Sequence, residues 1–135
     1  MTSNDHMTSN ADIARRGYEA VRRGDVDALR DFLAPDVKWH GGDPSAEGAC
    51  RNRDQVINFM RQGRRRRGGT IGELVDVVEA PDDKVVVIMR RPPENDGEEA
   101  ELVANLTTFR DGKAVEMVHF ADPAGALAAA GVAVP

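Results

Sequence analysis

The sequence predicts an α+β domain in which N-terminal helices cover one face of a curved, mostly antiparallel sheet. Three observations predict it. The apolar spacing is helical in the first half of the chain and strand-like in the second, and helices first with strands later is the α+β order. Turn signals, Pro81-Asp82-Asp83 and Asp111-Gly112, punctuate the second half at the spacing of consecutive antiparallel strands. The chain has 135 residues, enough for one domain with its own core.

The elements follow in order. Met-Thr-Ser-Asn occurs at 1–4 and again at 7–10, and His6-Met7 is a dipeptide that cloning sites leave behind. Residues 1–10 are therefore expected to be a disordered segment, partly of cloning origin, and 11–135 the single domain. Ser9 with Asp12 resembles a capping box. Ile13, Gly17, Ala20, Val21 and Gly24 then share one helical face. Gly24-Asp25 ends that helix and caps a short second one carrying Val26, Leu29, Phe32 and Leu33, which Pro35 cannot continue. Asp36 to Gly41 alternates as a strand, with Val37 and Trp39 on one side and Lys38 and His40 on the other. A loop through Cys50 leads to a third helix, Asp54 to about Arg64, closed by Arg64 to Arg67 and Gly68-Gly69.

Four strands are then expected: Leu74 to Val78, Lys84 to Arg91, Glu101 to Arg110 and Lys113 to Ala121. A polar turn, Pro92 to Glu99, separates the middle pair. Asp122 caps a last helix through Ala130, with Pro123 at its first position. The run Val85 to Met89 is apolar at every position, which calls for cover on both faces. One face can meet the helices. The other would be bare in a monomer, and such patches mark interfaces, so a homodimer through the sheet is expected.

Composition narrows the function classes. Net charge is −5, which opposes nucleic acid as a partner. No apolar run is long enough to span a bilayer, and the N-terminus lacks the apolar stretch of a secretory signal. A single cysteine, Cys50, excludes an internal disulfide and fits a reducing cytoplasm. It has no neighbouring His or Lys to activate its thiol. His40, Asp43 and His119 have no metal-ligand spacing, so no metal is expected. Cations such as Arg64 to Arg67 at a helix C-terminus complement its dipole and stay solvated; binding an acidic partner, for instance Glu94 to Glu101 of a neighbouring chain, is the other reading.

Four segments carry a resemblance when taken together and in order: Tyr18 to Leu29, Phe32 to Trp39, Arg53 to Met60, and Phe109 to Pro123. Over about residues 11 to 132 the chain resembles the nuclear transport factor 2-like superfamily, and within it the SnoaL-like and ketosteroid-isomerase-like domains. The resemblance implies a cone-shaped, cystatin-like half barrel enclosing a pocket for a small hydrophobic molecule. It also implies where to look for chemistry. The isomerase's proton-moving carboxylate would match about Gly41, which cannot serve. Its oxyanion-hole tyrosine would match Gly17, beside Tyr18, and its second donor matches about Asn105. The cyclases' acid/base aspartate matches His119. By period two Val115, Met117, His119 and Ala121 share a face, and the resemblance turns that face into the pocket. A histidine there would be partly desolvated and neutral near pH 7, able to accept a proton.

His119, Tyr18 and Asn105 are thus the candidate catalytic residues, and Trp39, Met117, Phe59 and Ala121 the candidate ligand contacts. His40 faces away, toward the surface or an interface. Three readings stand: a cofactor-independent isomerase, cyclase or dehydratase working by proton transfer on a hydrophobic metabolite, a non-catalytic binder using the same pocket, and an accessory dimerisation domain. For Trp39 and His119 the alternatives are core packing, and for His119 also a hydrogen-bonding wall position.

Overall fold

A computed structural model describes residues 9–66, 72–91, 93 and 97–132. Arg67, Gly68-Gly69, half of the Pro92 to Glu99 turn and residues 1–8 lie outside them. Ser9 caps the first helix and Asn10 is its first residue, so these two residues of the expected tail belong to the fold.

The helices α1 (Asn10–Arg23) and α2 (Val26–Phe32) are capped as the side chains dictate. Ser9 accepts the Asp12 N–H at 3.1 Å, and Asp25 accepts the Ala28 N–H at 3.1 Å. Each satisfies one of the orphan donors of a first turn. Gly24 closes α1 with φ 69°, a left-handed conformation that costs glycine little. β1 (Leu33–His40) follows α2 without a loop, three residues earlier than the pattern predicts. Leu33 pairs with Ala114, and the register then shifts before Lys38, so Pro35 falls where its missing N–H is tolerated. β1 is also an edge strand.

After α3 (Arg53–Arg66) come β2 (Glu73–Ala80), β3 (Lys84–Arg91), β4 (Glu101–Arg110), β5 (Lys113–Phe120) and α4 (Pro123–Ala129). The sheet order is β1-β5-β4-β3-β2. The last four strands form an antiparallel meander, and β1 joins parallel to β5. β3 and β4 take the predicted bounds. Asp111 and Gly112 both have positive φ, 53° and 79°, the geometry that makes Asp-Gly a two-residue hairpin turn.

β3 explains the layers. Val85, Val87 and Met89 point toward α1, α2 and α3, in a core shared with Leu33, Val37 and Phe109. Val86 and Ile88 point the other way, into a second core with Ala104, Leu106, Ala126 and Ala130. Both faces are buried, as the unbroken apolar run requires. The expectation of a bare outer face is corrected here: α4 lies on β3, β4 and β5 and leaves Val86 fully buried. Its small side chains, Ala126 and Ala130, allow that close approach.

β5 carries the other correction. Glu116 pairs with Thr108, but Ala114 pairs with Phe109, so Val115 is an extra residue, a β-bulge. The alternation therefore slips by one. Ala114 joins Met117 in the inner core, and Val115 does not share the face of Met117 and His119.

Gly17 is a packing glycine. A β-carbon there would stand 2.6 to 2.7 Å from three carbons of the Phe32 ring. Gly17→Ala is expected to lower stability by about 1–2 kcal/mol, overpacking outweighing the ~1 kcal/mol gained in helix propensity. Thermal melts of G17A and of G17A with Phe32→Leu check this. The double variant should recover most of the loss, and an unchanged single variant would refute the crowding.

Candidate active site

The inner sheet face and the helices enclose a cavity of about 330 Å³. That lies at the small end of ligand pockets. Its floor comes from β3, β4 and β5, where every second side chain faces inward: Val87, Met89 and Arg91, then Val103, Asn105 and Thr107, then Met117 and His119. Trp39 closes the β1 side, Tyr18 comes from α1, and Phe59 and Met60 come from α3.

Pairing places the polar groups. Val87, Asn105 and His119 stand side by side across three adjacent strands. Asn105, the histidine's partner on β4, is 7% exposed and its Oδ1 accepts the hydroxyl of the buried Thr107 at 2.9 Å. That bond fixes the carboxamide, whose NH2 is left as a donor with no hydrogen bond among the described residues. His119 has no hydrogen-bond partner among them either. Burial lowers its pKa below the ordinary 6.5, and the positive charge of Arg91 lowers it further. Its neutral imidazole is therefore the form present at neutral pH.

Tyr18 lines the cavity, yet its proton is already used. The hydroxyl donates to the Gly72 carbonyl, and burial pushes its pKa up to about 12. It is a neutral wall residue with an oxygen that can accept, not the free donor expected. The position matching the family tyrosine, Gly17, is filled by the Phe32 ring.

Trp39 and Phe59 meet edge to face, with centroids 4.2 Å apart and planes at 78°. Trp39 is both wall and core, since it also packs on the inner cluster. Cys50 holds it in place: the two residues exchange backbone hydrogen bonds of 3.0 and 2.7 Å, which tie the loop back onto β1. The thiol is buried, and burial raises its pKa.

Two expected positions fall elsewhere. Ala121 lies past the end of β5, exposed and off the cavity wall. His40 does face away from the cavity, but it is buried rather than at the surface, its side chain 5% exposed. Its Nδ1 accepts the Gly42 N–H at 3.0 Å, so Nε2 carries the proton that goes to Glu116 Oε2 at 2.9 Å. Gly41, matching the isomerase carboxylate, is exposed and borders nothing.

Arg91, Phe32 and Thr107 are wall residues that the sequence reading did not name. Period two along β3, from Val87 to Met89 to Arg91, is the signal that finds Arg91. Among the described residues the wall contains no Asp or Glu. Its ionisable side chains are Tyr18, Arg91 and His119, and His119 is the one that can act as a neutral base.

The family model of the SnoaL-like domain matches residues 14–117. The chain belongs to the SnoaL-like domain family. This places it in the nuclear transport factor 2-like superfamily, with the α+β fold expected. An uncharacterized protein of Mycobacterium tuberculosis is 31% identical over 124 residues, spanning 87% of this chain and 95% of the relative. Among solved structures, Bal32a from a soil-derived mobile gene cassette is 25% identical, with a TM-score of 0.70 over 82% of this chain and 86% of its own. IdmH of Streptomyces antibioticus, a proposed polyketide cyclase, is 23% identical, with a TM-score of 0.63 over 91% and 99%. That likeness is one of fold. The SnoaL-like match stops two residues before His119.

Proposed function

We propose that the cavity binds a small, largely hydrophobic metabolite and that His119 moves a proton on it, an isomerase- or cyclase-type reaction needing no cofactor. One observation carries this reading: the wall holds a partly desolvated histidine, without a hydrogen-bond partner among the described residues, directly across from a carboxamide donor. The imidazole takes a proton from a carbon next to a carbonyl. The oxygen of the enolate so formed accepts a hydrogen bond from the Asn105 amide, where negative charge develops. The imidazolium then returns the proton to another carbon, giving an isomer. Alternatively the enolate carbon attacks a second carbonyl of the same molecule, and the proton goes to the new alkoxide, closing a ring. The fold likeness to a proposed polyketide cyclase supports the ring-forming variant. Docking of a second copy on the outer sheet face belongs to the same proposal, supported by Leu102, which α4 leaves 45% exposed.

The test is solvent deuterium exchange. The protein is incubated in D2O with a panel of aromatic polyketides, steroid enones and terpenoid ketones, after thermal shifts select those that bind. Protein-dependent deuterium incorporation next to a carbonyl is the expected result. Stabilisation by ligands with no exchange and no product would make the protein a binder, and no stabilisation across the panel would sink the pocket reading.

A further inference from the structure

We infer that the ligand is a monocarboxylic acid, held by its carboxylate on Arg91 at the mouth of the cavity with its apolar body directed toward His119. This rests on reading the cavity as a metabolite site, and names the class of metabolite. Among the described residues of the wall, Arg91 is the one side chain with a permanent charge, and no carboxylate stands in the wall to balance it. Arg91 ends β3, on the face that Val87 and Met89 turn inward, and its side chain is 39% exposed, so the guanidinium sits at the rim where cavity meets solvent.

Among the described residues its one ion pair lies across the strands. Nη2 meets Glu101 Oε2 at 2.8 Å, and Glu101 is 68% exposed. A guanidinium has five N–H donors in a planar fork, and one contact leaves the rest available. The geometry suits a monoanion. A phosphate dianion calls for a second cation or a cluster of backbone donors, and among the described residues of the wall no second Arg or Lys accompanies Arg91. The field of the guanidinium also reaches the reaction end, since it holds His119 toward its neutral form. One cation thus anchors the ligand and adds to the burial that keeps the base unprotonated. Most of the remaining wall is apolar, and its other polar side chains, Tyr18, Asn105 and Thr107, are neutral, which fits an apolar body and offers a second charged group no charged partner among the described residues.

The test pairs two probes of one shape, 2-naphthoate and 2-naphthamide, titrated calorimetrically into the whole protein at low salt. The acid is expected to bind at least roughly tenfold more tightly than the amide, and salt should erode the difference. In Arg91→Gln the preference should vanish, because acid binding falls to the level of the amide. In Glu101→Gln, which frees the guanidinium and leaves the wall intact, acid binding should hold or tighten. Equal binding of acid and amide by the native protein, or a preference that survives R91Q, would overturn the assignment of Arg91 and leave the pocket standing. Binding of neither probe would overturn the pocket reading together with this one.

Discussion

His119→Ala is expected to lower the rate of deuterium exchange or turnover by roughly 10²–10⁴-fold, the range that a positioned general base supplies. Ligand affinity should change far less, because the apolar wall and Arg91 remain. His119→Gln keeps a polar group of similar size and should lose the rate as fully, which separates proton transfer from packing. The pH profile gives an independent reading. The active form of the base is neutral, and burial, then Arg91, sets its pKa below 6.5. The rate should be flat at neutral pH and fall as the pH drops through a value below 6.5. Arg91→Gln removes one of the two causes, so the acid limb should move toward higher pH. A profile without an acid limb, or one that Arg91→Gln leaves in place, would remove His119 from the base role.

The same shift has a consequence for stability. A histidine whose folded pKa lies below its unfolded one binds protons more readily when unfolded. The neutral form therefore supports the fold above about pH 6.5, and that support is lost as the pH falls toward the folded pKa. The acid side of the stability curve should be shallower in His119→Ala. His40 faces a different environment, fixed between Gly42 and Glu116, and stays in both proteins.

Much of the site was legible because period two is a local property. His119 and Met117 on β5, Asn105 on β4 and Trp39 on β1 all face inward as alternation and the family resemblance imply. Alternation fails only where a strand departs from its ideal. Ala-Val-Glu at 114–116 has nothing in its composition to announce a bulge, yet the extra residue turns Val115 off the face it was expected to share. Ala121 failed for a simpler reason, since the strand ends at Phe120 before Asp122 caps α4. Contacts between distant segments were out of reach altogether. The burial of His40 depends on Glu116, 76 residues away, and the use of the Tyr18 proton on Gly72, 54 residues away. The last helix was readable as a helix, but not as the cover of the outer sheet face. Its residues Pro-Ala-Gly-Ala-Leu-Ala-Ala show how closely it can pack, not against what.

Phe109→Ala should be among the most damaging single changes, because it removes the support of the cavity wall from behind. Phe109 is 3% exposed, on β4 beside the β5 bulge, and its N–H bonds the Asp83 carbonyl at 2.8 Å. Its ring meets that of Phe32 edge to face, with centroids 6.0 Å apart and planes at 70°. Phe32 lines the cavity on its other side and fills the space that Gly17 leaves open. Truncation of a buried phenylalanine costs about 3–5 kcal/mol, a large part of the roughly 5–15 kcal/mol that holds a domain together. A fall in Tm of roughly 10–20 °C is expected for a chain of this size. Phe109→Leu keeps most of the volume and should cost less than about 1.5 kcal/mol. The functional effect should outlast the thermodynamic one. At a temperature where Phe109→Ala is still folded, Phe32 has lost its backing and can swing into the new void, so the cavity should accept bulkier ligands and hold its own less tightly. Thermal melts, with binding measured well below the transition, would show both effects. A variant that melts normally would mean that Phe32 needs no support from β4, and normal binding in a destabilised variant would separate the cavity's shape from the core beneath it.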